Sequence, residues 1–333
     1  MPNNLVTKLQ NIGNAIRSKT GGTTALSLDA MPSEIESINT GETEEQRFLT
    51  DYQSFIEYND YSNPRTYSFS YPNIRIIPPL SYNSAEWYTT PSTDATWLNG
   101  GFTSQNAHII NRLNFPSLKV IPPGGFNAIN KITSSFTSDF SNVEYIGTGS
   151  FASFNYNTRI SGITLSFPKA TRIDGEAFNQ AYIDNLYFGN LSQNQMTGAL
   201  NSSVLLSKSW DPIVIFGGGN IKRIWTSGKF TEVGTTSTTT SFFRNATTLI
   251  AWVLDTPTVP ALNTYITQYS HNNSSNRFYN GSAKIYVPKA QLSTYASATN
   301  WSVYYAAGNI LAIEDSASDL QGIWDELDEK YGW

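Results

Sequence analysis

Four carboxylates in the centre of the chain, Asp174, Glu176, Asp184 and Glu232, are the residues best suited to bond-breaking chemistry. Two carboxyl groups flanking a glycosidic bond, one as acid and the other as base or nucleophile, can hydrolyse it. Asp174 and Glu176 stand two positions apart in "IDGEAF". The corresponding slot reads "IPPGGF" from Ile121 and "IGTGSF" from Ile146, so it varies among copies of one motif, and exposed turn residues are expected there. His108 and His271 are the two histidines; neither has a second ligand type at metal-binding spacing, so both read as ordinary loop residues. The chain has no cysteine, which removes disulfides and thiolate-held zinc. "GTGSF" (Gly147–Phe151) and Gly217–Gly219 resemble phosphate loops only superficially, because no helical pattern follows them. No nucleophile elbow of the G-x-S-x-G type occurs. The expectation is no catalytic residue, no cofactor and no metal.

What remains is surface contact. Trp87, Tyr88 and Trp97 fall in one Ser/Thr/Asn-rich stretch. Aromatic rings with polar rims are platforms on which sugars stack, so these three are the candidate ligand-binding residues. The competing reading is that the tryptophans pack the stretch onto the rest of the chain. Near the N-terminus Leu5, Leu9, Ile12 and Ile16 form one apolar stripe at steps of four, three and four, which marks a helix over 3–18. A second short helix is expected over 32–38. Two such helices have too little core to stand alone. They pack as a hairpin on something else, or serve oligomerisation or docking through the stripe.

Composition narrows the class further. Of 333 residues, 39% are hydrophobic and 14% charged, with 19 Tyr, 18 Phe and 8 Trp. Many aromatics and hydroxyls with few charges describe a β-rich chain. The net charge of −5 is made of −2 over residues 1–49, −6 over 311–333 and +3 between them. No stretch is basic enough to bind nucleic acid through phosphates. No apolar run is long enough to cross a membrane, and none near the N-terminus has the form of a signal peptide. A soluble product made in the cytoplasm is expected.

The elements that position these residues are read from a repeat. "FPSLKVIPPGGF" (from Phe115), "FSNVEYIGTGSF" (from Phe140) and "FPKATRIDGEAF" (from Phe167) share an aromatic, an isoleucine six residues on and a phenylalanine five further. A worn copy starts at Tyr71, with Ile77 six residues on. Alternating apolar residues before the opening aromatic mark a strand with one buried face, and Pro72, Pro116 and Pro168 end the ladder. The residues before each isoleucine read as a second short strand, and the closing phenylalanine as a turn residue plugged inward. A unit this small cannot bury its apolar face alone, but stacked units can, so the recurring positions are the rungs of a solenoid core. Further strands are expected in 185–191, 212–224, 248–260 and 283–292. The full expectation is a mainly β solenoid flanked by short N- and C-terminal helices. It comprises a helical module at 1–45, a linker with the first β elements at 46–66, and the solenoid at 67–315 with insertions at 81–112 and 231–247. An amphipathic C-terminal helix at 316–333 follows. Ser318 and Gln321 would cap it, and its stripe Leu320, Ile323, Trp324, Leu327 and Tyr331 would cover the open end of the solenoid or meet a neighbouring subunit.

Two stretches carry a resemblance. "ATRIDGEAF" (from Ala170), "VEYIGTGSF" (from Val143), "ITLSFP" (from Ile163) and the closing "AKIYVPKAQLSTYASATNWSVYYAAGNILAIED" (from Ala283) resemble the irregular, BspA-like leucine-rich repeats of bacterial surface antigens. Residues 185–247 keep the template poorly. "IGNAIRSKTGGTTALSLDAMPSEIESI" (Ile12–Ile38) is similar to an N-terminal module of phage tail proteins. Together these resemblances imply a leucine-rich-repeat-like solenoid in a non-enzymatic tail-fibre or baseplate protein. Its N-terminus would attach to other virion tail proteins, its repeats would meet a host-surface glycan or protein, and it would form a homotrimer. The alternatives are a purely structural fibre or decoration subunit and a glycan-depolymerising tailspike.

Overall fold

The computed structural model describes residues 12–15, 43–58, 60–75, 77, 108–122, 124–127, 129–147, 149–174, 177–192, 195–196, 220–229, 231–233, 243, 248–262, 266 and 270–333. The chain divides into two compact units, Met1–Asp51 and Tyr52–Trp333. Strand exceeds helix, 32% against 20%, so the mainly β expectation holds.

In the first unit residues 12–15 are helical; the remainder of the two expected helices lies outside the described residues. Helix α1 (Glu44–Glu57) begins in this unit and continues into the second. A reciprocal capping box starts it: the Thr43 N–H donates to Gln46 Oε1 at 2.7 Å, and the Gln46 N–H to Thr43 Oγ1 at 3.2 Å. Glu44 and Glu45 complement the positive end of the helix. This corrects the linker and first β elements expected over 46–66. Phe48, Tyr52 and Phe55 are buried at steps of four and three, the helical period, and the first strand starts only at Arg65.

The second unit is built from parallel strands. β1 (Arg65–Ser70), β2 (His108–Asn114) and β4 (Ile132–Asp139) form one sheet, and β3 (Val120–Ile121), β5 (Tyr145–Ile146) and β7 (Arg172–Ile173) another. A third sheet has six strands: β6 (Thr164–Phe167), β8 (Tyr182–Leu191), β10 (Asn220–Gly228), β12 (Ala251–Asp255), β14 (Lys284–Val287) and β15 (Ile310–Ala312). β9 (Gln195–Met196), β11 (Glu232–Val233) and β13 (Ala261–Leu262) make the fourth. Strand pairing is parallel throughout the described residues. Two insertion boundaries move as a result. His108–Asn114 is strand rather than the end of an insertion, and so is Glu232–Val233.

The repeat template maps onto this order. Ile121, Ile146 and Ile173 face one another directly in register. The opening aromatics stack from copy to copy. Tyr71 and Phe115 lie 5.7 Å apart, Phe115 and Phe140 6.5 Å, Phe140 and Phe167 5.4 Å, and Phe167 and Phe188 5.7 Å. The closing rings do the same, at 5.4 Å for Phe126 and Phe151 and 5.2 Å for Phe151 and Phe178. After each opening aromatic the chain turns identically: the carbonyls of Phe115, Phe140 and Phe167 accept from the N–H groups of Leu118, Val143 and Ala170, each at 3.1 Å. These phenylalanines are buried, and burying each one stabilises the fold by about 1.5–3 kcal/mol.

The C-terminal part adds α2 (Leu292–Ser297) and α3 (Ser302–Ala306), which bury Tyr295 and Tyr304. The single helix expected over 316–333 is instead two, α4 (Ala317–Leu320) and α5 (Asp325–Tyr331). Gly322 takes a φ of 73° between them, and Trp324 is extended, so the chain reverses where one helix was expected. The capping pair Ser318 and Gln321 is not used: Ser316 holds the N-cap position of α4, and its hydroxyl donates to the Ala312 carbonyl at 2.6 Å. The segment covers a sheet face rather than an open end. Leu320, Trp324 and Leu327 pack with Tyr187, Trp225, Val253 and Tyr286, four residues that neighbour one another across β8, β10, β12 and β14.

Candidate functional site

Two of the four carboxylates singled out for chemistry, Asp174 and Asp184, are held by the fold. Asp174 is 5% exposed, not a solvated turn residue. The Arg172 Nε donates to its Oδ1 at 2.8 Å, and the Tyr145 hydroxyl donates to its Oδ2. Burial, followed by the bond and charge of Asp174, raises the pKa of the Tyr145 hydroxyl above its ordinary value. Asp184 accepts from Lys222 Nζ at 2.8 Å and from the Gly162 N–H at 3.0 Å. Glu232 lies in β11, and Glu176 lies outside the described residues. Among the described residues no group of His, Asp and Glu is arranged to hold a metal ion.

Of the two histidines expected in loops, His271 lies in a turn and His108 does not. His108 opens β2, buried among Phe55 at 4.1 Å, Tyr67 at 5.4 Å and Tyr58 at 6.1 Å between ring centroids. His271 Nδ1 lies 2.6 Å from the Tyr304 hydroxyl, which itself accepts from Asn276 Nδ2 at 3.0 Å. Burial lowers the pKa of both histidines.

Trp87, Tyr88 and Trp97 lie outside the described residues, as do Leu5, Leu9 and Ile16. Ile12 is helical and 47% exposed, so the stripe presents at least one apolar side chain to solvent.

An exposed aromatic surface is instead found on the second repeat. After the closing Phe151, the buried Phe154 occupies the place taken by Ile129 in the copy before and Ala181 in the copy after, bonded through Asn155 N–H to Ile129 O (2.7 Å) and Tyr182 N–H to Phe154 O (2.9 Å). The chain then makes an excursion over 155–162 before Ile163 returns to the core. Asn155 holds the excursion from within. It is buried, with φ at 57°; its Nδ2 donates to the carbonyls of Ile160 (2.8 Å) and Tyr182 (3.0 Å), and its Oδ1 accepts from the Thr158 hydroxyl (2.7 Å) and the Ile160 N–H (3.0 Å). Asparagine tolerates the left-handed backbone that this turn requires. At the far end Gly162, with φ at 80°, donates to Asp184.

On that frame Tyr156 is 37% exposed and meets Tyr182 edge to face, centroids 5.7 Å apart. The exposed Arg159 guanidinium lies 4.8 Å from the Tyr182 ring and 5.7 Å from the Tyr156 ring, and its Nε donates to the Tyr156 carbonyl at 3.3 Å. Arg159 takes a φ of 51°, a left-handed conformation that arginine rarely adopts. The result is a fixed corner of two aromatic rings and one cation. The template copies carry a signal for it: closing phenylalanine and next opening aromatic are 14, 16 and 10 positions apart in successive copies, and the 16 contains this excursion.

No protein-family model matches the chain, and no curated protein or solved structure is similar to it at a significant level. No described helix is long and apolar enough to cross a membrane.

Proposed function

We propose that this chain is a non-enzymatic component of a virion tail fibre or baseplate, and that its parallel repeats recognise the host surface. The observation that carries this reading is the Tyr156–Arg159–Tyr182 corner, an exposed aromatic and cationic surface on a column of stacked, in-register rungs. The finer description of the fold that goes with it is an irregular leucine-rich-repeat-like solenoid. The parallel pairing and the copy-to-copy stacking of phenylalanines support it, and such a stack is a stiff support for loops that touch a partner. The N-terminal residues attach to other tail proteins, and several copies, three in the simplest arrangement, turn a weak contact with glycan or protein into a strong one. The engagement of Asp174 with Arg172 and Tyr145 gives no support to a glycan-cleaving reading.

The test is competition. Purified protein is incubated with susceptible cells before particles are added. Blocked adsorption that is weakened by Tyr156→Ala, with the fold intact by circular dichroism, supports recognition through this surface. Unimpeded adsorption at saturating protein rejects recognition and leaves a structural virion role.

A further inference from the structure

Resting on that recognition reading, we infer that the corner at 155–162 takes an anionic saccharide, with a sugar ring on the exposed Tyr156 face and the carboxylate or phosphate of the same ligand on Arg159. Four cations lie over aromatic rings among the described residues, and they are not alike. Arg65 lies over one ring, that of Tyr58. Arg172 lies over Tyr145, but Asp174 neutralises it. Lys330 lies over Tyr331, but Asp255 neutralises it. Arg159 lies over two rings, and among the described residues no carboxylate pairs with it.

The nearest acid bound to this loop, Asp184, already serves Lys222 and the Gly162 N–H. Among the described residues the positive charge of the corner therefore has no carboxylate partner. The guanidinium uses Nε on the Tyr156 carbonyl, which fixes its plane and leaves the edge formed by its two terminal nitrogens. That edge matches the two oxygens of a carboxylate or phosphate in paired hydrogen bonds, a geometry lysine cannot copy. Tyr156 supplies a flat apolar face with a polar rim beside it, as a pyranose or polyol requires. The ligand class is fixed by the pair: a ring alone takes a neutral sugar and a cation alone takes any anion, whereas both on one rigid loop select a sugar that carries its own charge.

The experiment uses the full chain and three probes: a hexuronate oligosaccharide, a phosphate-linked polyol oligomer and a neutral oligosaccharide of similar length. Binding is measured by calorimetry for the parent, Arg159→Gln, Arg159→Lys and Tyr156→Ala, with thermal melts to establish folding. The inference expects one charged probe to bind, roughly tenfold or more weaker in Arg159→Gln, partly restored in Arg159→Lys, and weakened by salt; which probe binds separates carboxylate from phosphate. Arg159→Gly gives a second check, because it removes the left-handed penalty: it should melt no lower than the parent yet lose the charged probe. Binding of the neutral probe that survives Arg159→Gln but not Tyr156→Ala overturns the anionic assignment and leaves recognition standing. Charged-probe binding unchanged by all these substitutions overturns the site. If particle adsorption is also not blocked by the parent protein, the recognition reading falls with it.

Discussion

Two parallel sheets in this chain dispose of their outer faces in opposite ways. The outer face of the six-stranded sheet carries Tyr187, Trp225, Val253 and Tyr286 side by side, and the C-terminal segment closes over them with Leu320, Trp324 and Leu327. The outer face of β1–β2–β4 is a polar network. Asn114 Nδ2 donates to Ser70 Oγ at 2.8 Å, Asn111 Nδ2 to Ser68 Oγ at 3.4 Å, and the hydroxyls of Thr133 and Ser135 donate to Asn111 Oδ1 at 2.6 and 3.0 Å. Ser68, Ser70, Arg112, Ser135 and Thr137 there are exposed. Parallel sheets are normally covered on both sides. The comparison shows that, among the described residues, a face of small hydroxyls and amides stays exposed, whereas a face of large rings is covered.

The largest effect is expected at the covered face. Trp225 stacks on Tyr187 at 4.0 Å and meets Trp324 at 5.9 Å, so Trp225→Ala should lower the unfolding free energy by about 3–5 kcal/mol in urea titrations. A loss below about 1 kcal/mol would show that the cover contributes little. Next comes the tie that holds the cover. Asp255, 5% exposed at the end of β12, accepts from Lys330 Nζ and, at 3.2 Å, from the Tyr331 hydroxyl. Burial and this carboxylate raise the Tyr331 pKa. Asp255→Ala should destabilise by about 1–2 kcal/mol, reduced from the value for a fully buried pair because the Lys330 side chain is 47% exposed. Hydrogen exchange over 317–333 should accelerate while β2 and β4 keep their protection; equal acceleration everywhere would mean that the cover and the core open together.

On the β1–β2 side the weak point is acid. Burial keeps His108 neutral in the folded chain, so its folded pKa lies below the ordinary value near 6.5. Between those two pKa values the unfolded chain binds more protons, so stability is full above pH ~6.5 and falls as pH drops toward the folded pKa. Backbone hydrogen bonds at Tyr58 and Phe55 work against this shift without cancelling it. His108→Phe should flatten part of the acid loss measured by urea titration at pH 7.5 and 5.0, leaving the part due to His271, which burial also keeps neutral. An unchanged acid loss would place the sensitivity elsewhere.

The sequence makes the rungs legible because one ring or isoleucine per copy serves one place in a column, as Ile121, Ile146 and Ile173 do in direct register. Elements outside the repeat are legible only through local signals that compete with composition. Tyr52 and Phe55 fall in a span expected as linker and first β elements, but the Thr43–Gln46 capping box and their helical spacing prevail. Gly322 interrupts a convincing apolar stripe, because a glycine that must take a left-handed turn looks the same in sequence as one that need not. Asp174 shows the limit for chemistry: its slot varies among copies, yet a bond from Tyr145, one copy earlier, buries it. The corner at 155–162 shows in sequence only as the wider gap from Phe151 to Phe167, while the spacing between template starts grows only from 25 to 27; its shape lies in how Asn155 folds those residues.

The smallest effect on stability, and the sharpest test of the comparison, is to give the open face the chemistry of the covered one. Ser68, Ser70 and Thr137 are exposed and accept replacement by valine without a clash from any covering segment among the described residues. Each is a surface change, so the triple substitution Ser68→Val, Ser70→Val, Thr137→Val should alter the unfolding free energy by only about 0.5 kcal/mol per site. Loss of the Asn111, Asn114 and Arg112 bonds to Ser68, Ser70 and Thr137 is offset in part by the higher strand preference of valine. The consequence should appear in association instead. A contiguous apolar stripe on this parallel sheet has no cover among the described residues, so light scattering should show concentration-dependent growth in size that the parent lacks. If the variant keeps the parent's size at every concentration, polarity is not what keeps this face open, and the contrast between the two sheets must be assigned to shape.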